Sequence, residues 1–452
     1  MTNEIVLMDK LQVIIMDSGQ LFLRIIERSI FLNKKILSNS IWMMSEKIIT
    51  LFGLIFVTSF VAKYVGAEVF GQIAFATSLF QIAMIIAQLG SDVIIFKRVS
   101  KNNKSGARLI SATLYLRSFI YFFAAVPIVF ISHEKNDVGS IYFIIACAIS
   151  CFFSAMDVFS IYYDARLESR KNTIVNVVGL IVSLFFRWLI AFFHLDPIYL
   201  SFPIILTGFI PFILRWAIFR KELVRNKLNL RCKIKYMKYL VGAGVTFVVS
   251  TISVAIYTRI SMLSLGYFYD KSLVGIFSVS VSLATSWSFV CNSLITSSLP
   301  SIFSEKNDAQ ATLKASKLNI IIIACSMPII FLTYLFGSFF IKALYGEDYV
   351  SAFTPLVILS FSTMISSLGI ISARFIARFS GYAFLSKKML SVVIFSFIVN
   401  IPLIYYYGML GAAVATFLTE LLSLTIFNYL FRRGIVLKMH LITFFPKLLK
   451  MP

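Results

Sequence analysis

The chain has 452 residues, of which 59% are hydrophobic and 14% charged, with a formal net charge of +22. Soluble domains carry about 25% charged residues, so this composition excludes an ordinary soluble enzyme. So basic a chain raises nucleic acid binding, but the positive charge lies in gaps between long apolar runs, which points to a membrane surface and no nucleic acid partner.

In chain order, residues 1–38 read as an N-terminal extension. The stretch 1–35 mixes apolar residues with Glu4, Asp9, Asp17 and Glu27. It is too polar to span a bilayer and has no cleavable signal pattern. An in-plane interfacial helix and a disordered extension both fit it.

Twelve apolar segments follow, at 41–62, 73–96, 109–132, 141–163, 174–193, 198–219, 239–264, 273–299, 319–342, 353–372, 389–407 and 409–431. Each is close to the roughly 20 residues that cross about 30 Å of hydrocarbon. Lys and Arg number five before the first span, then five, three, eight, three and four in the gaps after spans two, four, six, eight and ten, and five in the tail. These are 33 of the 42. The intervening gaps hold only Lys63, Lys135, Lys271 and the border residue Lys342. By the positive-inside rule, both termini are expected in the cytoplasm.

The longest inner gap, 220–238, is the eight-fold basic linker. It divides the chain into a first bundle of six spans over 39–219 and a second over 239–431, followed by a cytoplasmic tail, 432–452. The halves carry a weak internal repeat. Gly71-Gln-Ile-Ala-Phe-Ala-Thr-Ser-Leu79 opens span two, and Gly275-Ile-Phe-Ser-Val-Ser-Val-Ser-Leu283 opens span eight, 204 residues on. Ala124-Ala-Val-Pro-Ile-Val-Phe130 in span three corresponds to Cys325-Ser-Met-Pro-Ile-Ile-Phe331 in span nine, 201 residues on. Parallel six-plus-six repeats imply two halves in one orientation with a cavity between them.

The sequence has no G-x-x-x-x-G-K-[ST] run, no Asp-x-Asp pair and no His-Glu-x-x-His. The outer gaps are short, so a catalytic site has no obvious place; transport is the expectation, with no cofactor. The five cysteines lie singly and the three histidines far apart, so a metal site is not expected.

The charges inside spans carry the functional reading, because an ionisable group at mid-bilayer costs several kcal/mol and faces a cavity or a partner. Arg117 lies eight residues into span three and Arg187 thirteen into span five. A guanidinium cannot escape its desolvation cost by deprotonating, and its fork fits phosphate oxygens. Two readings therefore stand side by side for this pair: contact with an anionic substrate, or a salt bridge with Asp157 in span four. Arg259, five residues from the outer end of span seven, fits substrate contact or snorkelling to the interface. Arg215, near the inner end of span six, is expected to snorkel. Asp92 is expected to pair with Lys97 or Arg98, and Glu46 with Lys47. Glu420, eleven residues into span twelve, is a candidate for exchanging a proton or a cation, with Asp157 as a second.

Asn39-Ser-Ile-Trp-Met-Met-Ser-Glu-Lys47, Gly66-Ala-Glu-Val-Phe-Gly71 and Ala87-Gln-Leu-Gly-Ser-Asp92 resemble the N-terminal signature of Wzx-type polysaccharide flippases. Leu344-Tyr-Gly-Glu-Asp-Tyr349 and Gly411-Ala-Ala-Val-Ala-Thr-Phe-Leu-Thr-Glu420 match later signatures, so the resemblance runs from about Asn39 to Phe431. It implies the all-α, MATE-like fold of the multidrug/oligosaccharidyl-lipid/polysaccharide exporter superfamily, with two six-helix bundles around a central cavity. It also implies movement of an undecaprenyl-pyrophosphate-linked O-antigen repeat unit across the bacterial inner membrane by alternating access. Arg117 and Arg187 would suit the pyrophosphate or acidic sugars, with Arg259 a further substrate-binding candidate. Protons or Na+ are the implied coupling ions, and an O-antigen polymerase and a chain-length regulator the implied partners. The N-terminal extension departs from the family pattern.

Three alternatives remain. A multidrug efflux transporter of the same superfold would favour an acidic cavity. A polymerase or lipid-dependent glycosyltransferase would need a sizeable outer loop. A non-catalytic subunit of a polysaccharide assembly complex is compatible with the sequence.

Overall fold

The computed structural model describes residues 34–135, 138–225 and 234–445. Most of the N-terminal extension, 226–233 of the basic linker and 446–452 of the tail lie outside the described residues. All regular elements among the described residues are helical.

In chain order, α1 (Lys34–Phe52) runs through a π-helical turn, Gly53–Thr58, into α2 (Ser59–Gln88). Then come α3 (Ser91–Lys101), α4 (Asn103–Lys135), α5 (Val138–Met156), α6 (Phe159–Ala165), α7 (Ser169–Phe192) and α8 (Ser201–Arg225). The second half holds α9 (Ile234–Phe268), α10 (Lys271–Ser286), α11 (Ser288–Phe303), α12 (Asp308–Tyr345), α13 (Phe353–Arg378), α14 (Tyr382–Leu424), α15 (Ile426–Tyr429) and α16 (Ile435–Phe444).

Nine stretches among the described residues are long and apolar enough to cross a membrane, and two of them, Ile41–Gln88 and Tyr382–Tyr429, are 48 residues long. A straight helix of that length would reach about 72 Å, more than twice the hydrocarbon thickness. Each is interrupted by a glycine in the left-handed region, Gly66 at φ 75° and Gly408 at φ 53°, where a side chain would be strained. The second stretch folds back on itself. Ser261 bonds both Asn400 (2.7 Å) and Thr416 (2.9 Å), which flank Gly408. Counting both stretches twice and adding α9, of 35 residues, gives the twelve crossings that the sequence implies.

Loop contacts follow the same alternation. On the basic end, Arg166 pairs with Glu222 (2.9 Å), Arg378 with Asp308 (2.6 Å), and Arg432 donates to Phe379 O (3.0 Å). At the other end, Tyr64 donates to Leu195 O, Tyr269 to Tyr405 O (2.9 Å) and Tyr349 to Ala62 O (3.0 Å). Every one of these contacts joins gaps or span ends of one side, as a chain that crosses a membrane at each span requires. Large aromatic side chains such as Phe119, Phe123 and Phe130 on α4 and Phe331 and Phe339 on α12 are exposed, the surface of a multi-pass membrane protein.

Packing is divided by halves. Two apolar cores belong to the first half, apart from Leu240: one holds Phe80, Tyr121 and Phe143, the other Ile95, Ile110 and Tyr163. A third, with Ile302, Phe375 and Met439, belongs to the second. A fourth joins Ala62 and Ala67 of the first half to Leu265, Val274, Phe277 and Tyr349 of the second. At that seam the two repeat-equivalent glycines meet. A Cβ on Gly71 would lie 1.7 Å from Lys271 O and 2.8 Å from Gly275 N, and one on Gly275 would lie 2.0 Å from Ala67 O. Small residues let helix backbones approach this closely inside a membrane. The tail helix α16 docks on the second half through Ser316, which donates to Met439 O (2.7 Å), and through His440, set between Ser372 and Tyr429 (3.1 Å each).

Candidate functional site

The deep charges of the first half collect around α5. Arg117, on α4, is 2% exposed. It donates to Ala155 O (2.8 Å) on α5 and to Ser91 Oγ (2.6 and 3.2 Å), and it pairs with Asp92. Ser91 and Asp92 reach it because span two is broken: Leu89 and Gly90 are left-handed, so α2 stops at Gln88 and α3 restarts at Ser91. The sequence places Asp92 against Lys97 or Arg98; the structure gives it to Arg117, a neighbour across helices.

Arg215, on α8, is 3% exposed, and its guanidinium is bound to Asp157 and to Asn176. It therefore does not snorkel. Burial at this depth is tolerated because Asp157, in the break between α5 and α6, supplies the counter-charge. Asn176 also donates to Glu46 Oε1 (3.0 Å), tying α1 to the same network, and Lys47 lies 3.8 Å from that carboxylate. Asp157 is thus engaged with Arg215 rather than with Arg117 or Arg187, although its Oδ1 is buried without a partner. Asp157→Ala leaves Arg215 buried and uncompensated, and is expected to cost about 3–5 kcal/mol. Joint replacement, Asp157→Asn with Arg215→Met, is expected to cost clearly less. Thermal unfolding of the purified variants in one detergent measures both; equal losses would contradict the pairing.

Arg187 and Arg259 differ from these. Arg187, on α7, makes a single long hydrogen bond to Thr207 Oγ1 (3.3 Å), and its Nε is buried without a partner. No described carboxylate forms an ion pair with it or with Arg259. Arg187 lies within electrostatic range of Cys147 and Arg259 within range of Cys151, both on α5. Those cysteines are four positions apart, about 6 Å along one helix face. Guanidinium groups from the two halves of the chain are therefore both within electrostatic range of this face of α5. Arg259, on α9, also lines a half-open cavity of about 320 Å³ with Gln88, Gly90, Asp92, Thr251 and Thr258. Between them, Arg187 and Arg259 present donors in a low-dielectric interior without a matching anion, an arrangement suited to phosphate oxygens.

Glu420 belongs to a separate cluster in the second half. It lies within hydrogen-bonding reach of Tyr257 on α9 and Ser366 on α13, with Lys388 in electrostatic range. Lys388 is 5% exposed. Its sequence position places it in a basic gap; the structure buries it in α14, within electrostatic range of the acidic residue of the same hairpin. Nothing in local composition marks it, because the exposed Lys387 beside it reads the same in the sequence. Among the described residues no cluster of His, Cys, Asp and Glu could hold a metal ion.

The family model described as Polysaccharide biosynthesis protein matches residues 36–306. The chain belongs to that family. It is similar to the probable low-salt glycan biosynthesis flippase Agl15 of Haloferax volcanii, 23% identical over 374 residues that cover 80% of this chain and 76% of the relative. Among solved structures, an inward-facing multidrug resistance MATE family transporter of the MOP superfamily superposes with a TM-score of 0.67 at 14% identity, covering 90% of this chain and 99% of that one. The lipid II flippase MurJ, in an inward closed conformation, superposes at 0.64 with 15% identity, covering 92% and 93%. The fold of this family member is therefore the all-α, MATE-like membrane fold.

Proposed function

We propose that this protein flips an undecaprenyl-pyrophosphate-linked O-antigen repeat unit from the cytoplasmic to the periplasmic leaflet of a bacterial inner membrane, by alternating access, with both termini cytoplasmic. The observation that carries the proposal is that Arg187 and Arg259, one from each half, form no ion pair with a described carboxylate, Arg187 with its buried Nε unpartnered and Arg259 on the wall of the cavity. Membership of a polysaccharide-biosynthesis family and the likeness to a glycan flippase support a lipid-linked glycan as cargo. A cationic drug, the cargo that the shared fold also suggests, would meet the wrong charge there. Arg117 is a weaker contributor to binding than Arg187 and Arg259, because Asp92 already balances it. A strain lacking the protein accumulates the lipid-linked unit on the cytoplasmic face; normal surface polysaccharide in that strain, with no second flippase present, would overturn the reading.

Ion coupling is placed at Glu420, with Asp157 as the second candidate. Glu420 lies in the second half within reach of hydroxyl donors, with the positive charge of Lys388 in electrostatic range. Glu420→Gln keeps the shape and removes the charge. It is expected to abolish the response of transport to an imposed proton or Na+ gradient while substrate binding persists. An unchanged gradient response in that variant would remove Glu420 from the coupling.

A further inference from the structure

The tail helix α16 has two apolar faces, and the described residues cover only one of them. Val436, Met439 and Ile442 are buried against the second half. Leu437, Leu441 and Phe444 form an exposed stripe at helical spacing, with Lys438 exposed beside it. The helix cannot roll to hide that stripe, because its inner face is tied by hydrogen bonds. Ser316 donates to Met439 O (2.7 Å), Asn319 to Thr443 Oγ1 (3.3 Å), and His440 is held between Ser372 and Tyr429. Nor can α16 span the bilayer. Its ten residues reach about 15 Å, half of the hydrocarbon thickness.

Depth and charge indicate what covers the stripe. Ser316 lies near the start of α12 (Asp308) and Ser372 near the end of α13 (Arg378), about 9–12 Å in from those helix ends. That is the depth, at the headgroup and acyl boundary, at which in-plane helices lie. From 421 to 452 the sequence carries five Lys and Arg and no Asp or Glu. The carboxylates at the start of α12, Glu305 and Asp308, are already engaged by Lys314 and Arg378.

We propose that the outer face of α16 is a docking surface for anionic phospholipids of the leaflet at the basic end. Leu437, Leu441 and Phe444 enter the acyl boundary, and Lys438 meets the phosphates. A second copy of this chain on the same face would set like charge against like, and a zwitterionic lipid would leave Lys438 without a net counter-charge. Through the hydrogen bonds of its inner face, lipid that holds α16 also steadies α12 and α13 of the second half. The surface is independent of what the protein carries.

The test uses the full chain in nanodiscs of equal phosphatidylglycerol and phosphatidylcholine, with the photo-cross-linker benzoyl-phenylalanine placed at Phe444 or, as a control, at the exposed Phe331 of α12. Mass spectrometry of the adducts reads which molecule lies against each position. At Phe444 the phosphatidylglycerol adduct is expected to exceed the phosphatidylcholine adduct by roughly fivefold, the contribution of one basic residue near an anionic surface. At Phe331 the two are expected in the bulk ratio. Lys438→Glu abolishes the preference at Phe444, while its melting temperature in phosphatidylcholine alone stays at the wild-type value and reports that it folds. Phosphatidylglycerol raises the melting temperature of the wild-type protein and not of this variant. A bulk lipid ratio at Phe444, cross-linked dimers in place of lipid adducts, or a preference that survives Lys438→Glu overturns the proposal.

Discussion

Charge reversal at Arg187 or Arg259 lowers transport of the lipid-linked oligosaccharide by about a hundredfold or more, while reversal of an exposed basic-end charge such as Lys306 leaves it near wild type. A hydrogen bond to a charged group contributes about 1.5–3 kcal/mol, roughly ten- to a hundredfold, and a glutamate in place of either arginine adds repulsion in a site with little water. Arg→Lys variants retain part of the activity, since an ammonium keeps the charge and loses the bidentate fork. Arg187 is the sharper probe of the two. Its Nε has no partner in the protein, so removing it breaks little beyond the long contact to Thr207. Flipping rates at matched protein levels decide the matter; wild-type rates for Arg187→Glu would move the anion site elsewhere.

The second large effect concerns the seam at the lysine-poor end. Gly71 and Gly275 lie against each other's helices so closely that a methyl group on either would lie at 1.7 or 2.0 Å from a backbone oxygen. Backbone oxygen cannot rotate away as a side chain can, so α2 and α10 must separate. Overpacking of this kind costs about 1–3 kcal/mol, and here the strain falls on the contact that brings the halves together. Gly71→Leu and Gly275→Leu are expected to lose transport, and to lower the melting temperature by a few degrees, because that end can no longer close. The neighbouring hydrogen bond from Tyr349 to Ala62 O is lost with it. Wild-type transport and melting in both variants would show that the seam need not close.

Much of the fold was legible because it is enforced by the solvent. The bilayer fixes span length, and the alternation of Lys and Arg fixes parity, so loop contacts such as Arg166 with Glu222 and Tyr64 with Leu195 fall where the count puts them. The repeat that begins at Gly71 and Gly275 was also legible, although not that the two copies touch. The individual ion pairs were not. Which residue meets Arg117 or Arg215 depends on the rotation of each helix about its axis. Spans that are apolar on the lipid side and the core side alike carry almost no periodic signal for that rotation. The sequence accordingly suggested Asp157 as a partner for Arg117 or Arg187, and the packing gave it to Arg215. Lys388 escaped notice for a related reason: it lies at a boundary that composition cannot place to within a turn.

The proposed movement of a lipid-linked glycan between leaflets is measured in proteoliposomes holding the purified protein and an undecaprenyl-pyrophosphate-linked oligosaccharide in both leaflets, with an external glycosidase as the reporter. With the wild-type protein cleavage is expected to proceed beyond the outer-leaflet share toward completion, and Arg187→Glu to restore the plateau of protein-free vesicles. An identical plateau with and without the wild-type protein, under an imposed ion gradient as well as without one, would contradict it.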